Sequence, residues 1–326
     1  MQLLAQLPAL WKLGYRPWPR LRGLTSDPGI RRIARLMAPA VIGVAAIQIN
    51  VVINTQFAGN LGDGAVAQLT YAFRLFFLPL GMFGVAIATV TTTSVAEAAA
   101  KGDHDALRAR TAESVSAGWM LTSASAVGLA VLAEPVCTLI YRHGATTASD
   151  VEAIAWVLRA YVCGLVPYAL VKIIAPAFFA VDRPRLPLLA SVSAVVVNVI
   201  FNSLTYRALG APGIALGTGL AAVVNLSVLR LSFRRVLGPM PGEQRLRHGV
   251  GLAVANVLMA AVVFAGWELL APLVAAMHGM AATAALGVAL LVLVGCGFAV
   301  FAATLNAAGY PSADALWRIP KKLLRR

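Results

Sequence analysis

The sequence predicts an all-α bundle of about eight membrane-crossing helices, and three observations carry that expectation. The 326 residues are 60% hydrophobic and only 12% charged, with a mean hydropathy of +0.79, where soluble domains carry about 25% charged residues. The apolar residues gather into runs of about 20 or more, the length a helix needs to cross the hydrocarbon core. The cations gather between those runs, mostly in alternate connections: of the 27 Lys and Arg, 22 fall in the start, the second, fourth and sixth connections and the tail. By the positive-inside rule both termini then face the cytoplasm.

This placement of charge also disposes of a second class. A net charge of +14 could serve nucleic acid, but that use needs a basic groove interleaved with stacking aromatics, and here the cations mark topology. Three cysteines (Cys137, Cys163, Cys296) lie in or at the ends of apolar runs without paired spacing, and four histidines fall in separate connections. They read as small core residues and loop residues, with no metal site or thiol chemistry assembled in sequence. Glu97, Glu134, Glu152 and Glu268 lie near the ends of their runs, and no HExxH or nucleophile elbow occurs, so the sequence does not read as an enzyme.

The chain opens without a basic leader, and Trp11 to Arg20 is an aromatic, basic stretch suited to a membrane interface, like the end of a preceding helix. After Arg31, Arg32 and Arg35 the first span is expected over about 36–57, with Asn50 and Asn54 four apart and so on one face. A glycine turn at 59–64 leads into the second span, Gln68 to about Ala96, which carries Arg74 far from any acidic residue. A guanidinium in hydrocarbon costs from about 3 to more than 10 kcal/mol, so Arg74 either faces a wet, protein-lined cavity or snorkels to the interface.

A charged connection follows, read as a short surface helix capped by Asp103, and then a third span over about 114–139. Ser149 or Asp150 is expected to cap the fourth span, about 151–180, which holds Arg159, Pro167, Lys172 and Pro176. Its two prolines predict kinks, the geometry of a helix lining a moving cavity. Arg159 reads as a snorkelling residue; Lys172 lies deeper, and substrate contact and snorkelling remain open for it. The fifth span, about 188–206, has Asn198 and Asn202 four apart, and the sixth, about 212–228, has small residues from Gly213 to Gly219 that let a neighbouring backbone come close. These two are expected to pack face to face. After an Arg- and Pro-bearing connection come two spans poor in polar residues, about 249–270 and 281–305, and a polybasic amphipathic tail suited to anionic lipid.

Asn54, Asn198, Asn202 and Thr218 bring oxygens from three helices to similar depth. Such groups either bond to one another between helices or hold a hard monovalent cation such as sodium, and no carboxylate is present to favour the ion.

With these residues in view, the chain resembles the MurJ (MviN) family of lipid II flippases, part of the MOP transporter superfamily that includes the MATE exporters. The resemblance rests on Asp27 to Ala40, Ile53 to Ala58, Tyr71 to Thr89 and Lys172 to Pro187. It implies fourteen helices in two six-helix lobes around a cavity, plus a final pair forming a hydrophobic groove. The chain would then comprise an N-terminal segment at 1–34, a six-helix lobe at 35–236, a cytoplasmic linker at 237–248, the two-helix groove element at 249–306 and a basic tail at 307–326. The first lobe would be missing, and whether Met1 is a genuine start or a truncation stays open.

The resemblance further implies a bacterial inner-membrane protein that moves undecaprenyl-diphosphate-linked peptidoglycan precursor, lipid II, from inner to outer leaflet by alternating access. Arg74 would contact the diphosphate, with Lys172 as a second substrate-binding cation. The family's proposed sodium site matches Asn54, Asn198, Asn202 and Thr218 with a backbone oxygen near Ile214, and asparagine stands at 54 and 202 where some members have aspartate. No other cofactor is expected, and the partners are lipid II, membrane lipids and the missing lobe. The alternatives are a MATE-like or polysaccharide exporter and a non-transporting scaffold of cell-wall synthesis.

Overall fold

The computed structural model describes residues 28–62, 64–242 and 246–310, together with residues 8, 10, 11 and 14. The interfacial stretch expected at Trp11 to Arg20 and the polybasic tail lie almost wholly outside the described residues, so the structure does not bear on either.

Helix α1 (Pro28–Gly59) starts on a proline, whose missing N–H costs nothing in the first turn, and its 32 residues extend about 48 Å. It therefore begins ahead of residue 36, where the first span was expected to start. Gly64, at φ 95, turns the chain into α2 (Ala65–Pro79). Past Pro79 the backbone widens into a π-helical stretch, Leu80–Val85, before α3 (Ala86–Ala100) continues the same rod. Pro79 offers no N–H to the turn behind it and its ring pushes on the carbonyl four residues back, which is how a helix comes to carry such a turn.

Asp103 caps α4 (His104–Val131) by accepting the Ala106 N–H at 2.8 Å. The cap is the expected one, but no separate surface helix exists: the charged connection runs straight into the third span. That span is itself broken at Leu132 (φ −93, ψ 16), after which α5 (Ala133–Tyr141) takes over. The cap of α6 (Ala148–Val162) is Thr147, where Ser149 or Asp150 was expected. Asp150 completes a capping box with it: its carboxylate accepts the Thr147 backbone N–H at 2.9 Å, and its own N–H donates to Thr147 Oγ1 at 3.3 Å.

Helix α6 bends by 44° into α7 (Leu165–Ala180). The break falls at Cys163 and Gly164, the carbonyl of Cys163 being the one that the ring of Pro167 must displace. Pro176 is carried inside α7. The 52-residue segment α8 (Arg185–Val236) contains a reversal at Gly210 (φ 61, ψ −150). Its arms fold back on each other: a β-carbon on Gly217 would overlap the carboxamide oxygen of Asn202 and lie 3.1 Å from the Phe201 ring, whereas fifteen residues of straight helix would part them by about 22 Å. The fifth and sixth spans thus pack face to face as expected. Helices α9 (Leu246–Ala275) and α10 (Gly279–Ala307) pair with each other and rest on α4 and α5.

Five helical stretches are long and apolar enough to cross a membrane, and the bent α6–α7 pair makes a sixth. One of the five is the α8 hairpin, whose two arms fold back on each other at Gly210, and α1 adds a further helix of 32 residues beside them. Three buried clusters hold them: Phe76, Ile154 and Leu158 between α2 and α6; Met120, Met259 and Leu293 between α4 and the final pair; and Phe178 with Phe233 where α7 meets the second arm of α8.

Candidate functional site

A cavity of about 670 Å³ opens between α1, α2, the α6–α7 pair and both arms of α8. Arg74 and Lys172 both stand on its wall, and among the described residues no Asp or Glu does. Arg74 is exposed and Lys172 half-buried. The guanidinium of Arg74 lies over the Tyr71 ring at 5.7 Å, and the Lys172 ammonium over Tyr168 at 5.5 Å. Because a helical side chain leans back toward the N-terminus, each cation rests on the aromatic one turn before it. Phe73, Phe76 and Tyr161 fill the space between with ring contacts of 5.5–5.7 Å.

Of the three cations expected within spans, Arg159 is the one not on this wall. Its Nε donates to the carbonyl of Ala130 at 3.3 Å, in the last turn of α4, and its guanidinium covers the Trp156 ring at 4.9 Å. A cation is favourable at a helix C-terminus, so Arg159 supports the break at Leu132.

The predicted polar residues meet beside the cavity. Asn54 and Thr218 reach its wall, with Asn198 and Asn202 fully buried behind them. Asn202 Nδ2 donates to Asn54 Oδ1 at 2.8 Å and to Asn198 Oδ1 at 3.2 Å. Asn54 Nδ2 donates to Thr218 Oγ1 at 3.1 Å, and Thr218 Oγ1 in turn donates to the Ile214 carbonyl at 3.2 Å. The residue that sequence reasoning left out of the set is Asn50, whose Nδ2 donates to Asn198 Oδ1 at 2.8 Å and whose Oδ1 accepts from Asn54 Nδ2 at 3.2 Å. The signal was present: two Asn-x-x-x-Asn pairs, on α1 and on α8, face each other residue for residue.

This geometry bears on cation binding. Three of the four carboxamide oxygens already accept an N–H from another member, leaving Asn202 Oδ1 buried without a partner, along with Asn198 Nδ2. A hard monovalent cation requires several oxygens turned to one point, and the described residues of the adjoining wall add two positive charges and no carboxylate. As arranged, the set does not fit an ion; it is a hydrogen-bonded clasp joining α1 to both arms of α8.

A family model described as "Lipid II flippase MurJ" matches residues 1–308. The chain belongs to the MurJ lipid II flippase family. MurJ relatives include the probable lipid II flippase of Vibrio cholerae, 31% identical over 272 residues that cover 82% of this chain and 50% of that one. The lipid II flippase MurJ of Burkholderia cenocepacia is 31% identical over 264 residues, covering 80% of this chain and 51% of its own. The chain thus spans about half the length of these MurJ relatives. Among solved structures, a lipid II flippase MurJ in an inward closed conformation superposes with a TM-score of 0.67 at 20% identity, covering 90% of this chain and 57% of that one. A MOP superfamily transporter from Pyrococcus furiosus gives 0.54 at 16% identity, covering 87% and 67%. The fold is therefore the all-α membrane fold shared by MurJ and its MOP neighbours. These relatives are named as flippases, which are transporters and not enzymes, and with the apolar helices they make this chain a multi-pass protein of the bacterial inner membrane.

Proposed function

We propose that this chain serves a lipid II flippase as the second six-helix lobe and the final helix pair, moving undecaprenyl-diphosphate-linked precursor from the inner to the outer leaflet by alternating access. The observation that carries this reading is the cavity wall with two cations and, among the described residues, no carboxylate. A diphosphate is the anionic part of such a lipid, and guanidinium and ammonium groups free of counter-ions are what it would bind in a partly dry cavity. Arg74 offers a planar fork for the phosphate oxygens and Lys172 a second point charge. The bend at Gly164 lets α7, which carries Lys172, swing against α6, and α9 with α10 offers apolar surface to the prenyl tail. A first lobe, corresponding to the part of the relatives that this chain does not span, would close the cavity from the opposite side.

Complementation tests this reading. Arg74→Ala, placed in the protein as its genome encodes it, is expected to leave a flippase-depleted strain unable to grow. Normal growth would sink the substrate role of Arg74. Efflux of drugs with no effect on peptidoglycan precursors would favour a MATE-like exporter, and loss of neither would leave a scaffold of cell-wall synthesis. Within this reading the amide clasp fastens α1 to α8, and no sodium-dependent step is assigned to it.

A further inference from the structure

The two cavity cations differ from the other stacked cations of this chain in one respect. Arg159 also has the Ala130 carbonyl, and Arg207, over the Tyr206 ring at 5.5 Å, also donates from Nε to the Tyr206 hydroxyl at 2.8 Å. Among the described residues, Arg74 and Lys172 have no hydrogen-bond or ion-pair partner, and a tyrosine ring is the polarised group beneath each.

We propose that Tyr71 and Tyr168 are positioning residues whose ring faces hold the Arg74 and Lys172 heads at the cavity wall in place of carboxylate counter-ions. A carboxylate in the same place would fix the cation equally well but would cancel the charge that an anionic ligand needs, and the ligand would have to break that ion pair on entry. A ring face attracts the cation through its quadrupole and leaves its net charge intact.

Both rings are themselves held. The Tyr141 hydroxyl, at the last residue of α5, donates to the Tyr71 carbonyl at 3.0 Å, and the two rings lie 4.9 Å apart. Phe76, almost wholly buried, meets the Tyr168 ring edge-on at 5.7 Å and 88°. Tyr71 is not part of the cavity wall, so its effect on a ligand must pass through Arg74. The short helix α5, created by the break at Leu132, thereby acquires a purpose: it delivers Tyr141 to the back of Tyr71.

The proposal rests on the reading that Arg74 and Lys172 bind the diphosphate, and the test separates the two. Equilibrium binding of lipid II to the full protein in nanodiscs is measured for Arg74→Ala, Tyr71→Phe, Tyr71→Leu and the double variant Arg74→Ala/Tyr71→Leu, with the same set built on Lys172 and Tyr168. Thermal melting confirms that each variant is folded. Tyr71→Leu is expected to weaken binding about two- to fivefold, the range of an ordinary cation–π contact, Tyr71→Phe to stay within about twofold of the parent, and Tyr71→Leu to cost nothing further once Arg74 is gone. Additive losses in the double variant, or a Phe variant as weak as the Leu variant, would overturn the positioning role while leaving the cation site standing. An Arg74→Ala protein that binds lipid II normally would overturn both.

Discussion

Gly217 is the position at which the hairpin can be probed with a single methyl group. The α-hydrogen that a side chain would replace points at Asn202, and a methyl there would overlap the carboxamide oxygen and approach the Phe201 ring to 3.1 Å. Gly217→Ala must therefore push the Asn202 side chain aside or part the two arms of α8. Asn202 donates two hydrogen bonds, to Asn54 and to Asn198. Such bonds within a membrane bundle average about 0.6 kcal/mol each, with about 1.7 as the upper end, and overpacking a closed contact adds about 1–3 kcal/mol. The expected loss is about 2–4 kcal/mol, or a fall of roughly 5–10 °C in the melting temperature of the detergent-solubilised protein. The companion variant sharpens the assay. In an Asn202→Ala background the overlap disappears, so Gly217→Ala should cost less than half as much there. Equal costs in the two backgrounds, or a Gly217→Ala protein that melts like the parent, would refute the packing derived for the hairpin and with it the clasp.

Two further outcomes follow from the same region. A β-carbon on Gly164 would sit 2.5 Å from the Gly219 α-carbon, backbone against backbone with no side chain to yield, so Gly164→Ala should slow lipid II transport more than it weakens lipid II binding, measured in vesicles and nanodiscs respectively; equal losses would argue against a hinge there. Exchanging sodium for choline should leave the melting temperature of the parent unchanged, whereas Asn54→Asp with Asn202→Asp supplies the missing carboxylates and should gain a sodium-dependent rise; sodium stabilisation of the parent would contradict the clasp reading.

Much of the fold was legible because the membrane imposes it. Backbone polar groups must be satisfied within each span, so long apolar runs had to be helices, and the pairing of the fifth and sixth spans could be read from the glycines at 213, 217 and 219. What the sequence concealed was continuity and breakage. Nothing in Ala112 to Leu139 announces that α4 reaches back to His104 and stops at Leu132, because apolar periodicity carries no mark for a break that another helix braces, here through Arg159. Proline chemistry foretold a kink in the fourth span but not that it would act one turn earlier, at Cys163 and Gly164.

The site divided in the same way. Arg74, Lys172 and the four polar residues on α1 and α8 were visible as anomalies in apolar runs, and the structure gathers them at one cavity. Asn50 was placed on one face with Asn54 but left out of the candidate set, although its spacing to Asn54 matches that of Asn198 to Asn202. Tyr71, Tyr141 and Tyr168 were not legible at all, since a tyrosine in an apolar helix is ordinary and only the fold brings Tyr141 to Tyr71 across seventy residues.

The most direct measurement is movement of fluorescent lipid II across vesicles carrying the full protein, compared with its Arg74→Ala variant. Protein-dependent transfer between leaflets that falls at least tenfold in the variant is the result this account predicts. Transfer at the same rate in both proteins, or none above protein-free vesicles in either, would contradict it.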